Sequence, residues 1–303
     1  MIHPQITCCY LYTISKYGYP PAAEHTSEYL GEYKKLGFTS VELEGIRKEH
    51  LSKVCEMKDA IKSKINELDL QVPYFCAVLP GLSSPDKNQR NANLELFEKG
   101  CEIAATFGSK GILDNAPLPP YQFPEDIPVV RHYNEEVMQS AKFPADLKWD
   151  DYWKQLIYTY REACDIAAGY NLTYQMHPAS GVLCSTTDAF LYFHDAVGKS
   201  NLRFNFDTAN QFALKDNLLL SLRRLADHID YIHISDNGGQ KVEHLAIGDG
   251  VIRWDDFFET LDIINFKGHF GIDIGGAESG VEDLDKAYTD AVNFLETNLG
   301  LDL

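Results

Sequence analysis

The chain reads as a single-domain (β/α)8 TIM barrel over residues 1–303, and three observations predict it. Eight β-like runs alternate with helix-length segments, and crossovers of that length join parallel strands. The last four runs each carry one apolar and one polar face, as expected of strands that pack helices outside and line a closed interior. The first run leads into GYPP at 18–21 rather than a phosphate-binding glycine turn, which argues against an open doubly wound sheet.

Each element follows from its pattern. Residues 6–12 form the first strand. Residues 24–36 have helical spacing, with Tyr29, Leu30, Tyr33 and Leu36 on one side and Gly37 as the stop. In the second strand, 38–44, Ser40, Glu42 and Glu44 oppose Val41 and Leu43. A long amphipathic helix at 48–68 leads to the third strand, 70–79, closed by Pro80 and Gly81. The helix at 88–107 precedes a short fourth strand at 110–113.

The periodicity then stops over 114–147, a proline-rich βα loop that holds Arg131, His132 and Tyr133. Loops of this length in compact domains serve as lids or binding loops, and for this one a lid stands beside a flexible surface insertion as the alternative. A helix at 150–168 restores the alternation. Strands at 172–177, 202–207, 229–235 and 268–274 alternate with helices at 186–197, 217–226, 255–264 and 281–298. A glycine-rich loop fills 237–250.

Composition narrows the function classes. A hydrophobic fraction of 45% with 24% charged residues suits a globular chain. A net charge of −18 and a pI near 4.9 argue against nucleic acid or an anionic membrane as the main partner. No stretch is long and apolar enough to span a bilayer. Seven scattered cysteines without a C-x-x-C pair suit buried free thiols in a reducing, cytoplasmic compartment. No secretory signal is read at the N-terminus.

The chemistry gathers on the polar faces of the later strands. In the fifth, Thr173, Gln175 and His177 oppose Leu172, Tyr174 and Met176. In the sixth, Arg203, Asn205 and Asp207 oppose Leu202, Phe204 and Phe206. Tyr231, His233 and Ser235 share the inner face of the seventh, and His269, Gly271 and Asp273 that of the eighth. Barrel active sites lie at the C-terminal strand ends, where Gln175, His177, Asp207, His233 and Asp273 fall. Two carboxylates, an imidazole and an amide oxygen suit Mn²⁺, Mg²⁺, Co²⁺ or Zn²⁺. Hydrogen-bonded Asp–His pairs without a metal are the plainer alternative. His244 and Lys241, in the glycine-rich loop, read as solvated, and Trp254 as a packing residue.

The segments LTYQMHP, FNFDTAN, YIHISDN, IGDGVIRWDDFFETL and FGIDIGG resemble the sugar phosphate isomerase/epimerase superfamily, with its xylose isomerase-like barrel. The resemblance covers most of the chain and is strongest from Tyr174 to Gly275. It implies four metal ligands, Glu, Asp, His and Glu, which fall on Gln175, Asp207, His233 and Asp273. Two are kept and two depart. Asn210 stands where the family has a histidine, and Glu42 occupies the acidic position of the second strand.

These departures shape the expected chemistry. Gln175 can offer an oxygen to a metal but cannot act as a general base, so a two-carboxylate epimerase is in doubt and incomplete metal occupancy is expected. Asp273 is the expected catalytic base, with His177 as a second proton carrier. Glu42, Asn210 and Arg253 are expected substrate contacts. The reading is a metal-dependent isomerase or epimerase for a sugar, sugar phosphate or polyol, acting by proton abstraction next to a carbonyl. No phosphate cradle favours the phosphorylated form. The rival is a non-catalytic carbohydrate-binding barrel, and room is left for a homo-oligomer. The nucleic-acid-cleaving branch of this barrel wants a basic groove and several zinc ligands, whereas the chain is strongly acidic with few spare histidines near the site.

Overall fold

The computed structural model describes residues 2–124 and 133–301. Arg131 and His132 of the expected lid therefore lie outside the described residues. Eight parallel strands close a barrel: β1 (Ile6–Cys8), β2 (Ser40–Val41 and Leu43–Ile46), β3 (Tyr74–Val78), β4 (Gly111–Asn115), β5 (Thr173–His177), β6 (Leu202–Phe204 and Phe206–Asp207), β7 (Tyr231–Ile234) and β8 (His269–Ile272). β1 pairs with both β2 and β8, and every other strand pairs with its sequence neighbours. The two split strands break at inward-facing residues, Glu42 and Asn205. The ladder continues across both, because Glu42 N donates to Cys8 O (2.9 Å) and Asn205 N to Met176 O (3.0 Å).

The alternation read from the sequence sorts the side chains. Outward residues meet the surrounding helices in an aromatic layer. Phe97 packs on Tyr174 (centroids 4.9 Å apart) and Phe190 on Phe204 (4.7 Å). Capping sets the helix ends that return each crossover. Asp86 caps the helix Lys87–Phe107 by accepting Gln89 N, and Gly108 ends it with φ 84°.

The inner face carries most of the barrel's polar groups and fills in tiers. At the floor, Gln175 Nε2 donates to Asp230 Oδ1 (2.6 Å) and Thr173 Oγ1 (2.8 Å), while Tyr74 OH donates to the Asp230 carbonyl (3.2 Å). Above them Tyr231 stacks on Tyr74 (4.1 Å). Gly271 makes that possible, since a Cβ there would lie 2.5 Å from the Tyr231 hydroxyl.

The boundaries shift from the sequence reading in a few places. The first strand ends at Cys8, because Leu11–Tyr17 coils into a helix that buries Leu11, Tyr12 and Ile14. A helix absent from the sequence reading, Thr208–Ala213, starts directly after β6 and is capped by Asp207. The loop at 114–147 holds a short helix, Glu135–Ser140. All seven cysteines are free, and six are buried. No helix among the described residues is long and apolar enough to cross a membrane.

Candidate metal centre and active site

The C-terminal ends of β5 to β8 bring His177, Asp207, His233 and Asp273 together above the tyrosine tier. Register decides this. Asp207 lies opposite His233 across β6 and β7, and His177 pairs with Asn115 at the last rung of β4 and β5. A fifth group, His244, enters from the loop after β7. That loop folds back on the barrel through backbone hydrogen bonds between Asp236 and Leu245 (3.0 Å each). His244 is completely buried, so its reading as a solvated loop residue is corrected.

Separations within this group are those of ligands sharing an ion. Asp207 Oδ2 lies 3.6 Å from His177 Nε2 and 3.8 Å from His244 Nε2. Asp273 Oδ2 lies 3.6 Å from His244 Nε2 and 3.7 Å from His233 Nδ1. Hydrogen bonds between such atoms would be about 2.7–3.2 Å long. Two donors each about 2.1 Å from one ion, at a tetrahedral angle, stand roughly 3.4 Å apart.

Each imidazole is also held from behind. His177 Nδ1 donates to Asn205 Oδ1 (2.7 Å), and that amide is oriented by its own donation to Tyr231 O (3.3 Å). His233 Nε2 donates to Glu42 Oε2 (3.1 Å), which also accepts from Tyr231 OH (2.9 Å). His244 Nδ1 faces Glu278 Oε1 at 3.3 Å. In every case the outer nitrogen meets an acceptor, which turns the inner nitrogen toward the cluster. Metal-binding histidines are fixed in this way.

The electrostatics agree. Burial alone would lower His233, yet Glu42, with Asp273 and Asp207, pushes it up to about 9. Burial lowers His177 despite Asp207 beside it, which keeps that imidazole neutral as a ligand requires. Burial would raise Asp207, but His244 beside it, with the fields of His177 and His233, holds it well below the usual carboxylate range. Three imidazoles and two carboxylates in a site that attracts positive charge fit a divalent ion. Cys9, Glu42 and His233 form another close group. It suits an ion less well, because burial pushes the Cys9 thiol far up and Glu42 Oε2 is already shared by two donors.

The other expected site residues fall elsewhere. Gln175 shares the inner face with His177 but sits one tier lower, tied to Asp230, and is not brought to the cluster. Glu42 lines the chamber wall but is 1% exposed, and it positions His233. Asn210 is buried; its N and Nδ2 donate to the two oxygens of Asp207 (2.7 and 2.9 Å), so it orients that carboxylate. Arg253 is corrected outright. It is largely exposed at the start of the helix Trp254–Ile263, pairs with Asp256, and lines neither the chamber nor the vestibule.

An inner chamber of about 170 Å³ opens over the cluster, with His177, His233 and Asp273 in its wall beside Glu44, Arg47 and Asn115. Asp207 and His244 lie behind that wall. A vestibule of about 1610 Å³ leads inward, and Tyr133 and Met138 line both spaces. Tyr121 OH anchors the same loop to Gly181 O (2.8 Å).

A (β/α)8 barrel with buried O/N donors at its C-terminal mouth defines the class. The chain belongs to the xylose isomerase-like TIM barrel family, whose pattern matches residues 30–298. It is 27% identical over 156 residues to an uncharacterized protein, MJ1311, of Methanocaldococcus jannaschii. That match takes in 48% of this chain and 53% of the relative, so it spans about half of the relative's length. Among solved structures, the 3-keto-D-glucoside 4-epimerase YcjR of E. coli superposes with a TM-score of 0.72 at 19% identity, over 97% of this chain and 100% of that one. The D-allulose 3-epimerase of Methylomonas sp. in complex with D-allulose gives 0.74 at 13% identity, over 98% of each. At such identities the likeness is one of fold.

Proposed function

We propose that the chain is a metal-dependent isomerase or epimerase acting on a sugar or polyol by proton abstraction next to a carbonyl. The observation that carries this reading is the cluster of three imidazoles, each bonded on its outer nitrogen, beside two carboxylates under a small chamber. His177, Asp207, His233, His244 and Asp273 would hold the divalent ion. When bound there, such an ion supplies Lewis-acid polarisation of a substrate oxygen.

The chain's own residues do the rest. Asp273 faces the chamber and is the base proposed to take the proton next to the carbonyl. His177 is better placed as a ligand than as a proton carrier, since Asn205 holds its Nδ1 and its Nε2 faces Asp207. Tyr133 and Met138 support a lid role for the loop at 114–147, which would keep water from the reacting carbon. The sugar epimerases among the structural neighbours are consistent with this chemistry. The alternative of a degenerate binding barrel rests on Gln175 standing in the ligand set, and the bond from Gln175 to Asp230 supports the enzyme reading over it.

Deuterium exchange from D₂O into the carbon-bound hydrogens of a ketose and aldose panel tests the reading. Asp273→Asn is expected to slow exchange by roughly 10²–10⁴-fold, the usual worth of a general base. Exchange at the native rate in that variant would remove Asp273 from the mechanism. No exchange by the native protein on any sugar would sink the enzyme reading.

Glu42→Gln probes the support behind His233. Losing that carboxylate should weaken divalent-metal affinity by roughly 10–100-fold, the usual effect of removing such an outer partner. Competitive titration against a chelating dye measures it. Unchanged affinity would mean that Glu42 only fills space.

A further inference from the structure

Arg47 joins the end of β2 to the helix Arg47–Glu67 with φ at 57°, in the left-handed region that a residue bearing a Cβ enters at a cost of about 1–2 kcal/mol. Its side chain lines the inner chamber with Glu44, Asn115, His177, His233 and Asp273. Nε is buried and makes no hydrogen bond, and no carboxylate among the described residues lies within ion-pair distance of the guanidinium. The other lysines and arginines lining the chamber and vestibule are already engaged. Lys16 pairs with Glu32 and Asp285 (3.3 Å each), and Lys241 approaches Glu243 (3.9 Å). Strained backbone together with an unpaired cation in a cavity wall is a pattern that points to a ligand.

We infer that Arg47 receives a carboxylate of the substrate, so that the chamber is built for a sugar acid. The inference rests on the site reading above and names its substrate class. A guanidinium binds a carboxylate through two parallel N–H donors, which would satisfy the buried Nε. A neutral hydroxyl would leave the charge uncompensated. A phosphate dianion calls for further donors, and the chamber wall offers no second unpaired cation among the described residues. Glu42, Glu44 and Asp273 also line the chamber, so an anion is admitted only where a cation meets it. β2 lies across the ring from β6, so an acid anchored at Arg47 extends its other end toward the donors of β5 to β8.

Calorimetric binding to the full-length, manganese-supplied protein tests this. The probes are D-gluconate, D-glucuronate and D-galacturonate, with D-glucose, D-galactose and D-glucose 6-phosphate for comparison. At least one acid is expected to bind tenfold or more tightly than its neutral counterpart. Arg47→Met should erase that preference while leaving neutral-sugar affinity within twofold, and Arg47→Lys should keep part of it. Because Arg47 has no side-chain partner among the described residues, both variants should melt within a few degrees of native. The inference is overturned if no acid outcompetes its neutral counterpart, if Arg47→Met keeps the preference, or if glucose 6-phosphate binds more tightly than every acid. Acid preference without deuterium exchange would sink the enzyme reading alone. Exchange on neutral sugars without acid preference would sink this inference alone.

Discussion

Asp207→Asn is expected to leave a folded barrel that holds almost no divalent ion. Asparagine keeps an oxygen for Asn210 N, so the cap of the helix Thr208–Ala213 survives, whereas alanine would lose it at about 1 kcal/mol. What disappears is the charge that faces both His177 and His244. Losing a direct ligand should weaken binding by more than roughly 100-fold, since even outer partners are worth about 10–100-fold. Elemental analysis of native and variant protein, purified in parallel with added manganese, reads the effect. Equal metal content would place the ion somewhere other than this cluster.

Gln175→Glu is expected to destabilise the fold without improving the metal site. From the family resemblance alone, restoring glutamate should tighten metal binding. The floor network argues otherwise, because Gln175 Nε2 donates to Asp230 Oδ1 at 2.6 Å. Glutamate would replace that donor with a second carboxylate, buried and facing the first. Losing that part-buried donor costs roughly 1–3 kcal/mol. Burial already raises Asp230, opposed by the bond from Gln175. Two facing carboxyls would share one proton, with a folded-state pKa above the unfolded value of about 4. Their protonated form then supports the fold at low pH, and that support is lost as pH rises. Urea unfolding at pH 5 and pH 8 should therefore show a larger deficit at pH 8. Native stability together with tighter metal binding would put Gln175 back in the ligand set.

These two variants mark where the sequence stopped being informative. Alternation alone placed Gln175 and His177 on one face, correctly, but it cannot say which reaches the mouth. That depends on register: Gln175 lies opposite Leu113 and Arg203, one tier below, whereas His177 meets Asn115 at the end of the ladder. The barrel itself was legible because period-two strands and helix-length crossovers repeat along the chain. Its edges were less so, and the first strand gave way at Cys8 to a helix that buries Leu11 and Tyr12. His244 was missed because it lies in irregular backbone, where periodicity carries no signal. Its position in a loop leaving the C-terminal end of a barrel strand was the available clue. Arg253 shared that clue, yet it points to solvent, because the following helix begins beside it and Asp256 takes its charge. Glu42 and Asn210 were expected as substrate contacts. Their hydrogen bonds to His233 and Asp207 give them a supporting part that only the folded geometry reveals.

The measurement that bears most directly on the metal centre is X-ray absorption at the metal edge of the cobalt- or zinc-loaded protein, with the imidazole multiple-scattering signal fitted for the number of histidines. The five-residue cluster predicts two or three imidazoles among oxygen ligands, from His177, His233 and His244 with Asp207 and Asp273. A single imidazole among oxygens would match the ligand set implied by resemblance, with Gln175 included, and would contradict the cluster.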